Sequence, residues 1–220
     1  MIFTTLNTII EDILNTVRGS NIANTDPISK RQVEDWIHQY RAELIRQDID
    51  KGYYPNPDYI QEIPYLELED SLWAEYWQTV KKLPNTINTR FKSGYTWIGD
   101  NYKNEFTLVP SSRAIWQQHK RYTQDESIAF LENSRLHISK GPGAISQITV
   151  KGIFENPMEV SRFANPTIQE PLPNLDFPYP MPANKIPTLK EMIYTKELKI
   201  SLEAPTDTTV DDRHNPKQSQ

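Results

Sequence analysis

The chain has 220 residues and no cysteine, which allows one domain with arms and excludes a disulfide framework or a thiolate metal site. Its formal charge of −5 argues against a sequence-independent DNA binder, which needs clustered Lys and Arg to displace counterions. An apolar fraction of 37% is low and 17 prolines is high for a compact globule, and the shortfall lies mainly at the C-terminal end.

The opening MIFTTLNTIIEDIL places Glu11 and Asp12 inside its apolar stretch and lacks the basic start of a signal peptide. No run approaches the ~18 apolar residues of a membrane span. Leu6, Ile9, Ile10, Ile13, Leu14 and Val17 fall on one face and predict a helix over 5–17, ended by Gly19. The next helix is fully punctuated, SKRQVEDWIHQYRAELIRQDIDKG. Ser29 and Gln32 form a capping box, Ile28 staples to Val33, and Gly52 supplies the left-handed stop. Val33, Ile37, Tyr40 and Leu44 make its apolar stripe, widened by Trp36, Ile45 and Ile49. Two adjacent one-faced helices should pair as a hairpin. The loop SNIANTDP is too long for a helix-turn-helix DNA reader, whose turn is about 3–4 residues.

After Gly52 the texture changes. Short aromatic and β-branched runs at 59–63, 76–80, 95–98 and 106–109 read as strands between turn residues. A short helix is expected over 111–122, with Ala114, Ile115 and His119 on one face. Runs 127–131 and 136–139 flank a hairpin turn at Asn133. A last strand covers 148–154, and Pro157 ends it. From 165 the chain is a proline tract whose Leu172, Leu175, Phe177, Tyr179 and Met181 are too apolar for a plain linker. It reads as an extended arm lying on another surface. Thr188 and Glu191 suggest a second capping box with a helix from Leu189 towards Leu198. The end APTDTTVDDRHNPKQSQ has almost no apolar surface to order it. The expected organisation is therefore α+β: a helical hairpin (3–52), an antiparallel β-sandwich or barrel domain (53–164), a proline-rich arm (165–187), a C-terminal helix (188–203) and a polar tail (204–220).

Catalytic patterns are weak. His38, His119, His137 and His214 have no second ligand at helical spacing, so no metal or other cofactor is expected. His38 reads as a surface or interfacial residue. Ser111, Ser112 and Ser127 lack a nucleophile elbow. Alternation in YLELED puts Glu67 and Glu69 on one solvated strand face rather than across a cleft. Lys140-Gly141-Pro142-Gly143 lacks the ending of a phosphate loop and reads as a turn. Lys81-Lys82 and His119-Lys120-Arg121 are short basic runs of the kind that cover solvated faces. Trp36, Trp73, Trp77, Trp97 and Trp116, with eleven Tyr, serve either as core or as interface anchors.

The words TLNTIIEDIL, QVEDWIHQYRAELIRQDIDKG, KKLP, YTWIGD, KRYT and ITVKGIFENP, in this order and spacing, resemble the ring (adaptor) proteins of crAss-like phage connectors. The resemblance covers roughly 3–160 and, more weakly, the helix near Leu189. It implies a non-enzymatic virion protein with an adaptor-like helical hairpin. Such subunits assemble as a dodecameric ring, roughly twelve copies related by rotation. They sit beneath the portal or against other ring and tail proteins, seal the capsid and form part of the DNA ejection channel, without sequence-specific DNA binding or membrane contact. Assembly would take place in the host cytoplasm. Trp36, Tyr40, Leu175, Phe177, Tyr179 and Val210 are the expected protein-interface residues. Two other classes stay open: a carbohydrate-binding or carbohydrate-active tail domain, suggested by the aromatics, and a DNA-binding regulator using the helical hairpin.

Overall fold

The computed structural model describes residues 4–18, 28–72, 75–88, 93–100, 104–117, 127–140, 145–161, 163 and 175–198. Helix α1 (Leu6–Arg18) buries Leu6, Ile9, Ile10, Ile13 and Leu14, the face predicted by its periodicity. Helix α2 (Lys30–Asp50) starts where Ser29 Oγ accepts the Gln32 N–H at 3.2 Å. It stops in a Schellman motif: Tyr53 N–H donates to Asp48 O, Gly52 N–H donates to Ile49 O, and Gly52 takes φ +86°. A single turn of 3-10 helix (Pro57–Tyr59) then carries the chain into the sheet.

Seven strands follow: β1 (Gln61–Asp70), β2 (Tyr76–Thr79), β3 (Tyr95–Asp100), β4 (Thr107–Leu108), β5 (Ile128–Glu132), β6 (Arg135–Ser139) and β7 (Gln147–Gly152). Their order is β3-β7-β1-β2-β6-β5-β4. The two edges approach each other through the Gly99–Glu105 bridge and the Phe106 N–H to Ile98 O bond, so the sheet is a nearly closed barrel. Closure removes most of the edge that would otherwise template pairing with other chains.

β1 runs past Pro64, beyond the expected end at Ile63. The register shifts between Ile63 and Leu66, and Tyr65 takes φ +55°. The bulge absorbs the proline, which has no N–H to give the ladder. The β5–β6 turn has Asn133 and Ser134 at φ +50° and +61°, the mirror-image turn that suits strand twist. One pair departs from the antiparallel expectation: β4 lies parallel to β5. Parallel neighbours need a crossover, and α3 (Ser111–Gln117) lies within it. Its Ala114 packs with Tyr76, Ile128 and Phe130 outside the barrel. His119, the 119–121 basic run and Trp73 lie outside the described residues.

β7 ends at Gly152, short of the expected stop at Pro157, which instead opens a further helix, α4 (Pro157–Ser161), with Asn156 Oδ1 accepting the Met158 N–H. Proline suits the first helical position because its missing N–H has no intrahelical use there. The same rule corrects the start of helix α5 (Ile186–Lys196). It begins ahead of Thr188, with Pro187 in its first turn and no side-chain cap, so the Thr188–Glu191 capping box is not used.

Two cores result. The barrel core holds Ile63, Leu66, Ile98, Phe106, Leu136, Ile138, Ile148, Val150 and Phe154. The helical core gathers α1, α2 and α5 with Tyr59, Ile87, Ile153, Tyr179 and Met181. The residues 175–198 therefore complete the helical core of their own chain. Among the described residues, no helix is long and apolar enough to cross a membrane.

Candidate assembly surfaces

Arg41 is the residue on which the C-terminal segment closes. It falls one helical turn after Ile37 on the buried stripe of α2 and is 0% exposed. Its Nη1 donates to Phe154 O at 2.8 Å and its Nε to Pro180 O at 3.1 Å. The guanidinium also lies over the rings of Tyr59 and Tyr179, at 6.0 and 5.8 Å. One side chain thus ties α2 to the end of the barrel sheet and to the arm. Burial pushes its pKa down, opposed by the two tyrosines.

Beside it, His38 Nδ1 and the Tyr179 hydroxyl lie 3.0 Å apart. His38 is buried, which corrects its expected surface position: the arm covers the flank of α2 that would otherwise be solvated. Burial, helped by the Arg41 charge, holds its pKa down at about 4, so the ring is neutral at ordinary pH. Burial likewise raises the Tyr179 hydroxyl, which stays protonated.

The arm is held by backbone as well. Asn7 N–H donates to Leu175 O, Tyr179 N–H donates to Thr4 O, and Thr5 bridges Pro178. Lys185, just before α5, and the helix itself add three lysine bridges, Lys185–Asp48, Lys190–Asp12 and Lys196–Glu43. Tyr40 donates its hydroxyl to Glu197 and sits under Lys196; burial and that carboxylate push its pKa up to about 12.

The expected interface residues consequently divide. Tyr40 and Tyr179 are sealed within the chain, Trp36 and Leu175 are half-buried against the helical core, and Phe177 is 57% exposed. Val210 lies outside the described residues. Further apolar side chains face outward, among them Tyr53, Tyr54, Leu72 and Trp116. A cleft of about 700 Å³ opens between the end of α2 and the start of β3, with Tyr53, Tyr54 and Pro55 on its rim. Arg41, Tyr59 and this cleft were not anticipated. The signal for Arg41 was present, since a cation stands at a stripe position between Ile37 and Ile45. Nothing local marks the cleft, because its walls come from distant parts of the chain.

Glu67 and Glu69 are exposed, as the alternation in YLELED predicts. Glu69 is held by Gln78 and Arg135, and those hydrogen bonds keep its pKa low, as suits an ion rather than a general acid. Among the described residues, no group of three or more His, Cys, Asp or Glu could hold a metal ion.

The sequence matches the model of the crAss phage tail ring protein 2 family over residues 8–217. The chain belongs to that family. The match extends well beyond residue 160, where the resemblance read from the sequence weakened, and takes in the arm, α5 and most of the polar tail. No curated protein matches the chain. As a phage tail ring protein it is a structural component of the virion, built to assemble with further copies and with other tail components.

Proposed function

We propose that this ring protein forms a closed, roughly twelve-membered ring in the connector between portal and tail, and that the packaged genome leaves through its centre. The observation that carries this reading is the family match over nearly the whole chain. The subunit's design is consistent with it. A nearly closed barrel and a self-completed helical core leave exposed aromatics such as Phe177, Tyr54 and Trp116 on the surface. Trp and Tyr are the side chains that most often anchor interfaces. The negative net charge suits a channel wall, since DNA passing it would release few counterions and would not stick. The subunit is proposed to act without enzymatic activity, to contact DNA without sequence preference, and to assemble in the host cytoplasm. Of the six residues expected at the interface, exposed Phe177 and half-buried Trp36 and Leu175 are the ones proposed to meet a neighbour.

Native mass measurement and imaging of the purified protein, alone and with portal and tail proteins, test this. A ring of defined copy number, stacked coaxially on the portal or another ring, is the expected result. A chain that stays single under all these conditions, or decorates the outside of the tail, would sink the reading. So would peptidoglycan or polysaccharide hydrolysis by the purified chain, lost on replacing Glu67 or Glu69.

A further inference from the structure

A ring needs heterologous contacts, in which one patch of the chain meets a different patch of the next copy. Two described features are a projection and a cleft. In the first, Phe177 stands exposed in the arm, between Asp176 and Pro178. It is held firmly: Leu175 O accepts from Asn7 N–H, Pro178 bridges Thr5, and Tyr179 is buried two residues later. An aromatic fixed in this way loses little further freedom on binding.

The second is the cleft. Ile49 and Ile153 line it, Tyr53, Tyr54 and Pro55 form its rim, and Tyr95 flanks it. Tyr53 is 65% and Tyr54 92% exposed. A volume of about 700 Å³ is ample for a phenylalanine with its following proline, and proline packs well on aromatic walls. No residue of 175–181 lines it, so within one chain the projection and the cleft stay apart.

Charge adds direction. Lys51, just before the rim, is exposed and has no ion-pair partner among the described residues. Asp176, just before Phe177, is exposed and is touched by Asn7 Nδ2 at 3.2 Å.

We propose that the Asp176-Phe177-Pro178 projection of one copy seats in the Tyr53–Tyr54 cleft of the next, with Asp176 facing Lys51, and that this is a lateral contact of the ring. The proposal rests on the ring reading above. The cysteine-free sequence makes the test direct. Chains carrying Tyr54→Cys and chains carrying Phe177→Cys, both at exposed sites, are mixed, allowed to assemble and treated with a short bis-maleimide. A two-chain product should form in the mixture and not from either variant alone. Phe177→Asp should weaken assembly by about tenfold or more without moving the melting temperature. Asp176→Lys should also weaken it, and adding Lys51→Asp should restore it. Rings of normal mass that give no mixed product, or that form equally well with Phe177→Asp, overturn the pairing and leave the ring reading intact. A wild-type chain that never assembles, even with its tail components, removes both.

Discussion

Arg41 carries a charge into the helical core with two backbone carbonyls and two aromatic faces around it. Replacing it by alanine would leave Phe154 O and Pro180 O unpaired at about 1–3 kcal/mol each, and would open a cavity besides. Arg41→Ala should therefore cost about 4 kcal/mol in denaturant unfolding. A change within experimental error would mean that the side chain is not the tie described. His38 adds a pH dependence. Its folded pKa of about 4 is depressed from 6.5, so the unfolded chain takes up the proton first. The stability associated with a neutral His38 is complete above about pH 6.5 and falls as the pH drops towards 4, by about 3 kcal/mol in all. Comparing wild type with His38→Asn separates this from the carboxylates that titrate nearby. Parallel stability curves for the two proteins between pH 7 and 4 would contradict it. Trp36 is only half-buried, so Trp36→Ala should cost about 2 kcal/mol, below the 3–5 typical of a fully buried Trp.

At the level of elements, the C-terminal segment is the informative one. The sequence reading makes it an extended arm lying on another surface. In the folded chain Tyr179, Met181, Ile186, Leu189 and Ile193 are part of the helical core. Truncation after Ala164 should strip α1 and α2 of their cover. Circular dichroism should show lost helix, and protease should cut within 4–50. A truncated chain as helical and as resistant as the full one would show that the segment is dispensable. Gly94 tests the junction between β3 and the helical side. An added Cβ would meet Thr86 Cβ at 2.6 Å and Ile87 O at 2.7 Å. Backbone cannot yield there cheaply, so Gly94→Ala should destabilise by about 1–3 kcal/mol.

Over the whole molecule, the two cores share a seam. Ile153 belongs to the helical core and its neighbour Phe154 to the barrel, while Arg41 bonds the Phe154 carbonyl. Helices and barrel should therefore unfold together, in one calorimetric transition whose van't Hoff and calorimetric enthalpies agree. Two resolved transitions would show that the seam does not couple them. A subunit that behaves as one rigid block suits a ring, where strain at one contact must be resisted by the whole wedge.

Local signals in the sequence were sufficient for much of this. Ser29 with Gln32 and Gly52 set the ends of α2, the spacing from Leu6 to Leu14 set the face of α1, and Asn133 marked the β5–β6 hairpin. Each depends on residues within one or two turns, where capping, periodicity and turn chemistry act alone. Proline was read only as a stop, so α4 and the early start of α5 were missed, although Pro157 and Pro187 stand where a first helical turn accepts them. The fate of Arg41 and His38 was a different matter. His38 lies near the polar flank of its helix and Arg41 on its apolar stripe, and it is the packing of residues 175–198, with Tyr59 and Phe154 against Arg41, that covers them. Burial of that kind depends on contacts between residues more than a hundred positions apart. The cleft beside Tyr54 likewise brings together separate segments, 49–55, 87–108 and Ile153. The sequence by itself determined most of the elements and the family; the tertiary structure decided which aromatics are buried inside the subunit and which are left exposed.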